Sequence, residues 1–138
     1  MDSLVALAAD LRIACQRVSR RVRFESSTEI APHLVSAMAN LRHGPLTPGE
    51  LAEVERISAP SMTRTVNCLV DKGLVAREDH PSDGRCKVLT LTASGHDLLD
   101  RVAQARNDWM VHQLEGLTDA ERQLLREATD LLTQVVSK

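Results

Sequence analysis

Aromatic side chains are almost missing from this 138-residue sequence, which has one Phe (Phe24), one Trp (Trp109) and no Tyr. A core must therefore be assembled from Leu, Val, Ala, Ile and Met. No apolar run approaches the length of a membrane span, and residues 1–10 lack a secretion-signal pattern. Three cysteines without such a signal point to reduced thiols in a cytoplasm, not to a disulfide framework. A catalytic constellation is missing as well. His33, His43, His80, His96 and His112 are scattered, with no metal-ligand spacing beside a Cys pair. His96 and Asp100 stand four apart on a helical stretch, a spacing that more often marks a surface contact than half a metal site. There is no Gly-rich phosphate loop and no nucleophile elbow, so neither an enzyme nor a cofactor or metal protein is expected. A net charge of −2 argues against indiscriminate polyanion binding but leaves room for a local basic footprint.

What is present centres on Thr47–Leu91. Thr47, Pro48 and Glu50 form a helix start: an N-cap, a proline where its missing N–H costs nothing, and a glutamate at N3. Leu51, Ala52 and Val54 are its expected apolar side. Ser58 caps a second helix, with Pro60 inside the first turn. Met62, Val66 and Leu69 recur at i, i+4 and i+7 as its buried stripe. Gly73 is expected to end it in left-handed conformation, with Leu74 making the accompanying apolar contact. Helix, turn and capped helix match a helix-turn-helix. Ala59, Pro60, Ser61, Arg64 and Asn67 would then lie outward, a small, polar and cationic face suited to a major groove. An ordinary surface helix of a bundle has the same caps, and the helices alone do not separate the two. Val75–Glu78 and Lys87–Leu91 have strand composition, and Asp83-Gly84 between them is a good turn. A tip carrying Arg85 and Lys87 is more than a plain hairpin needs. Together these elements describe a winged helix whose wing reaches a minor groove or the phosphate backbone.

The runs Leu46–Ala52, Thr63-Arg64, Leu69–Arg77 and Asp83–Gly95 resemble the MarR family of bacterial transcriptional regulators. The most specific part is the Asp-x-Arg wing followed by a Leu-Thr-x-x-Gly helix entry. The resemblance implies a homodimeric winged-helix repressor whose DNA affinity a small ligand or an oxidant lowers. It implies that Arg85 enters the minor groove, that Asp83 holds Arg85, and that the Ser58–Thr65 turn, Thr63 included, enters the major groove. The expected DNA-binding set is therefore Ser58, Ala59, Pro60, Ser61, Thr63, Arg64, Asn67, Asp83, Arg85 and Lys87.

The flanks read as helices. Residues 2–24 place Leu4, Leu7, Leu11, Val18 and Val22 near one face and carry Arg12, Arg17, Arg20, Arg21 and Arg23. Ser26-Ser27-Thr28 breaks this helix, and Pro32 starts the next, with Leu34, Val35, Met38 and Leu41 inward, up to Gly44-Pro45. Thr92 caps a long helix through Leu98, Leu99, Val102, Ala105 and Trp109 to about Glu115, where Gly116 stops it. Thr118 and Glu121 box the last helix, with Leu124, Leu125, Ala128, Leu131, Leu132, Val135 and Val136 along it. These stripes are wider than one small core needs and read as a dimer interface, so a palindromic double-stranded site is expected. Basic residues prevail between Arg56 and Lys87, and acidic ones after Ser94.

The expected fold is mainly α with a small β-hairpin, in a single domain over 1–138. Residues 31–92 form the winged DNA-binding lobe, and 2–24 and 93–137 the dimerisation helices. The expected function is sequence-specific regulation of transcription, most simply a repressor released by a small molecule. In relatives implied by the resemblance the effector site lies between dimer helices and lobe. Here it would offer Arg17, Arg20, His33 and Met38 among aliphatics, which suits a small aromatic or organic anion. A redox-sensing regulator is one alternative, since some MarR-like proteins sense peroxide through a first-helix cysteine. Those pair it with tyrosine hydroxyls, and with no Tyr here Cys15 reads better as a small buried apolar residue. Cys68 and Cys86 lie close enough to the DNA-facing elements for oxidation to disturb them. A winged-helix module for protein contacts is the other alternative.

Overall fold

The computed structural model describes residues 3–26 and 29–137. Local signals explain most helix ends. Helix α1 spans Ser3–Glu25, and α2 spans Pro32–Leu41 with the proline in its first turn. Ser26 closes α1 by donating its hydroxyl to the Val22 carbonyl; Ser27 and Thr28, also expected in this break, lie outside the described residues, as does Asp2. Helix α3 spans Pro48–Glu55, and both halves of its capping box form. The Glu50 N–H donates to Thr47 Oγ1 at 3.1 Å, and the Thr47 N–H donates to Glu50 Oε1 at 2.9 Å. Helix α4 covers Ala59–Asp71 behind the Ser58 cap. It ends as expected: Gly73 adopts φ 74°, its N–H donates to the Val70 carbonyl, and the Leu74 N–H reaches back to that of Leu69. Leu74 is buried beside it.

Two strands follow, β1 over Val75–His80 and β2 over Asp83–Leu91, paired antiparallel. They run further than their composition suggested, and the turn is Pro81-Ser82, not Asp83-Gly84. Proline fits the second position of a turn, and the Ser82 N–H donates to His80 Nδ1 at 3.1 Å, which closes it locally. The ladder keeps one register from Val75↔Leu91 to Asp79↔Lys87, then jumps to His80↔Asp83. Gly84, Arg85 and Cys86 are left without partners, as a bulge in β2. Leu46 adds a one-residue third strand, exchanging both backbone hydrogen bonds with Leu89. Helix α5 covers Ala93–Leu114 and α6 covers Asp119–Val136.

The core lies where α2 to α5 meet the base of the hairpin. Met38, Leu51, Met62, Leu69 and Leu89 are its largest fully buried side chains, joined by Leu34, Val66, Leu98 and Val102. Val54, expected inward, is exposed. On a 100° helical wheel it lies outside the arc between Leu51 and Ala52, and Glu55 occupies the centre of that arc instead. Glu55 is held there by Ser36 Oγ at 2.8 Å and Asn40 Nδ2 at 2.6 Å, a polar clasp between α2 and α3.

Neither α1 nor α6 buries a single residue, and Leu4, Leu7, Leu11, Val18, Leu124, Leu131 and Val135 are all exposed. Cys15, expected to be buried at a helix interface, is exposed as well: none of the described residues covers that face of α1. No described helix is long and apolar enough to cross a membrane.

The α6 capping box carries a pH signature. Backbone and hydroxyl hydrogen bonds from Thr118 hold the Glu121 carboxyl below the ordinary glutamate range. A depressed folded value means that the contribution is present above the unfolded value and lost as pH falls through the folded one. The gap in melting temperature between the parent chain and Glu121→Gln should therefore close on acidification below the ordinary glutamate range. A gap that stays constant with pH would show that the charge contributes nothing.

Candidate nucleic-acid interface

Outward from the core, α4 presents Ser58, Ala59, Pro60, Thr63, Arg64 and Asn67 exposed, with Ser61 half-buried. The inward side is Met62, Thr65, Val66 and Leu69, so the expected division of the helix into two faces is present. The Ser58 side chain accepts from the Ser61 N–H at 3.2 Å and donates to Ser61 Oγ at 3.0 Å. Arg64 Nη2 in turn donates to Ser61 Oγ at 3.2 Å, which draws its guanidinium back towards the helix N-terminus. Thr63, exposed on this face, spends its hydroxyl on the Ala59 carbonyl at 3.0 Å. A cation, small side chains and backbone N–H groups thus converge at one helix end, an arrangement suited to phosphate oxygens and base edges.

Between α3 and α4 the chain turns at Arg56, whose φ of 55° is the one left-handed value for a non-glycine among the described residues. Its N–H reaches the Ala52 and Glu53 carbonyls, and the Ile57 N–H also returns to Ala52.

The wing brings the second group together. The bulge lifts Arg85 out of the ladder, and its side chain is 94% exposed. Asp83 Oδ1 accepts from the Arg85 backbone N–H at 3.1 Å and faces Arg85 Nε at 3.4 Å. The aspartate therefore braces both backbone and side chain of the arginine. Lys87, the third expected wing residue, is ion-paired with Asp79 directly across the ladder.

Arg77 was not expected at the site. It donates from Nη2 to Asn67 Oδ1 and so ties β1 to the outward face of α4. Strand parity was the available signal: Arg77 shares a sheet face with buried Val75 two residues earlier and lies opposite buried Leu89.

The four expected effector residues do not converge. Met38 is 0% exposed and belongs to the core, because α2 turns it with Leu34, Val35 and Leu41 towards α3 to α5. His33 and Arg17 are exposed, and Arg20 stacks over the Phe24 ring at 5.5 Å. A groove of about 440 Å³ runs along α1 past Cys15, Gln16, Ser19, Arg20 and Arg23, without Arg17, His33 or Met38. Another, of about 430 Å³, separates α5 from α6 and is lined by Val111, Leu114, Leu125, Arg126 and Thr129 among others. Of the pair His96 and Asp100, the aspartate binds Arg42, which also reaches the His96 carbonyl.

The sequence profile of the MarR family matches residues 41–87, which hold α3, α4 and most of the wing. Mb0904, an HTH-type transcriptional regulator of Mycobacterium bovis, is 39% identical over 140 aligned residues that cover 100% of this chain and 98% of that one. The chain belongs to the MarR family. Two further likenesses agree with this. MdtR of Bacillus subtilis, an HTH-type transcriptional repressor, is 28% identical, covering 97% of this chain and 90% of MdtR. The crystal structure of a transcriptional regulator from Pseudomonas aeruginosa PA01 superposes with a TM-score of 0.85 at 27% identity, over 100% of this chain and 99% of that one. This MarR-family chain is thus a winged helix-turn-helix transcriptional regulator, a DNA-binding protein. The family binds DNA and works as dimers, and its regulators are not enzymes.

Proposed function

We propose that this regulator is a homodimeric repressor that reads a palindromic duplex with two copies of α4 and two wings. The carrying observation is the pairing of an outward α4 face of small residues and Arg64 with a bulge that projects Arg85. In this reading Ser58, Ala59, Pro60, Ser61, Thr63, Arg64 and Asn67 face the major groove, and Asp83, Arg85 and Lys87 serve the minor groove and backbone. Residues 31–92 form the lobe, in a single domain with 1–138 as its bounds. Repression is supported by the likeness to MdtR. Dimerisation through α1, α5 and α6 is supported by the unburied Leu and Val residues on α1 and α6, a face too apolar to be left in water. The two-fold axis would set the recognition helices about one DNA turn apart, roughly 34 Å. Release by a small organic anion in the cytoplasm completes the reading, supported by the arginines of α1, with Arg20, which lines the groove along that helix, as its first contact. Arg17 and His33 would join it only if the dimer closes the site, and Met38 only from behind that wall.

Selection of bound duplexes from a random pool at fixed salt tests the proposal. A palindrome is expected, from a particle of twice the 15.2 kDa chain mass; an unenriched pool would sink the reading. Within that assay, Arg64→Ala should cost about 1–3 kcal/mol of specific binding and relax preference at one symmetric position. An equal loss on every sequence would make Arg64 a phosphate clamp instead.

A further inference from the structure

Asn67 lies one helical turn beyond Arg64 on the outward face of α4. A free carboxamide offers a donor and an acceptor side by side, the pair that matches adenine N7 and N6 in a major groove. In this chain the acceptor is shared, because Arg77 donates to Asn67 Oδ1 and takes one of its two lone pairs. Which end of the amide Arg77 holds follows from chemistry. A guanidinium has only donors, so its partner atom must be the oxygen, and the NH₂ group is turned the other way. Arg77 is well placed for the task. Its strand is anchored at Val75, its cross-strand neighbour Leu89 is fully buried, and Asn67 is the one side chain it bonds among the described residues. The guanidinium is exposed, so this bond adds little to stability and acts on orientation.

We propose that Arg77 sets base specificity by locking Asn67 with its NH₂ group towards DNA. Asn67 then donates to an acceptor edge, guanine O6 or N7 or thymine O4, and, with its oxygen shared with Arg77, makes a poorer bidentate pair with adenine. The inference rests on the reading of α4 as the helix in the major groove, and the experiment separates the two. Parent chain, Asn67→Ala, Asn67→Asp, Arg77→Met and Arg77→Lys each select from one random duplex pool at fixed salt, with melting curves as a check on folding. Asn67→Ala should flatten preference at one symmetric position. At that position the parent chain and Arg77→Lys should favour guanine or thymine, since lysine also donates to the oxygen. Arg77→Met should raise recovery of adenine there by on the order of tenfold, because the freed amide can turn over. Asn67→Asp, which has no donor and still binds Arg77, should lose the guanine or thymine preference without loss of melting temperature. That arm can still overturn the inference if Arg77→Met fails to fold, and Arg77→Lys then reports on the residue 77 side.

Three results would overturn the inference while leaving the regulator reading intact: no position responds to Asn67→Ala, Arg77→Met weakens all sequences alike, or Asn67→Asp keeps the parent preference. A parent chain that enriches no duplex overturns the reading of α4 and this inference with it.

Discussion

Gly95→Ala is expected to be the most damaging glycine-to-alanine change in this chain. A Cβ built at Gly95 would stand 2.3 Å from the Leu74 carbonyl oxygen and 3.0 Å from Leu91 Cδ2. The first of these clashes is with backbone, which cannot step aside without moving the end of α4. That same carbonyl accepts from the Thr92 N–H at 3.1 Å, and Thr92 Oγ1 donates to the Gly73 carbonyl at 2.7 Å while accepting from the Gly95 N–H. Thr92 and Gly95 therefore clamp the start of α5 onto the Gly73-Leu74 turn that closes α4. Overpacking here should cost about 3 kcal/mol, the upper part of the usual range, because the clash is with a hydrogen-bonded peptide. Thermal unfolding should show a fall of many degrees, with DNA binding abolished alongside. A melting temperature within a degree or two of the parent would mean that α5 can lift from Leu74 at little cost.

Arg85→Ala should leave the fold and the dimer as they are, since a side chain 94% exposed on a bulge contributes nothing to the core. Its effect falls on DNA. Removing a charged hydrogen bond from each wing should weaken operator binding by about 1.5–3 kcal/mol per wing. The dependence of log K on log salt should become shallower by roughly one unit for each phosphate that Arg85 would have neutralised. Asp83→Ala supplies the sharper sign. Simple long-range electrostatics favours removing a carboxylate from a DNA-facing tip. The hydrogen bonds from the Arg85 backbone N–H and Nε to Asp83 argue the reverse: without them the arginine must be ordered at the moment of binding. Asp83→Ala should therefore bind more weakly, with an unchanged melting temperature because an exposed pair adds little stability. Tighter binding at every salt concentration would reduce Asp83 to a turn residue.

The sequence by itself determined the helices, their starts and the use of the middle of the chain. Caps such as Thr47 with Glu50 and Thr118 with Glu121 act over three residues, and the Met62, Val66 and Leu69 stripe acts over two turns. Signals of that range survive without any knowledge of partners, and the Asp-x-Arg and Leu-Thr-x-x-Gly motifs pointed to the family for the same reason. Only the tertiary structure decided the rest. The wing register is set by burial of Val75 and Leu89, so the turn moved to Pro81-Ser82 and the surplus residues became the bulge around Arg85. Arg77 met Asn67 because a strand and a helix ten residues apart pack side by side. Met38 sank into the core because α2 turns it towards α3, α4 and α5. Gly95 is required by a carbonyl twenty-one positions earlier in the chain. Each of these depends on which distant surfaces share the one core, and pairwise patterns along a chain carry no distance between elements that touch only after folding.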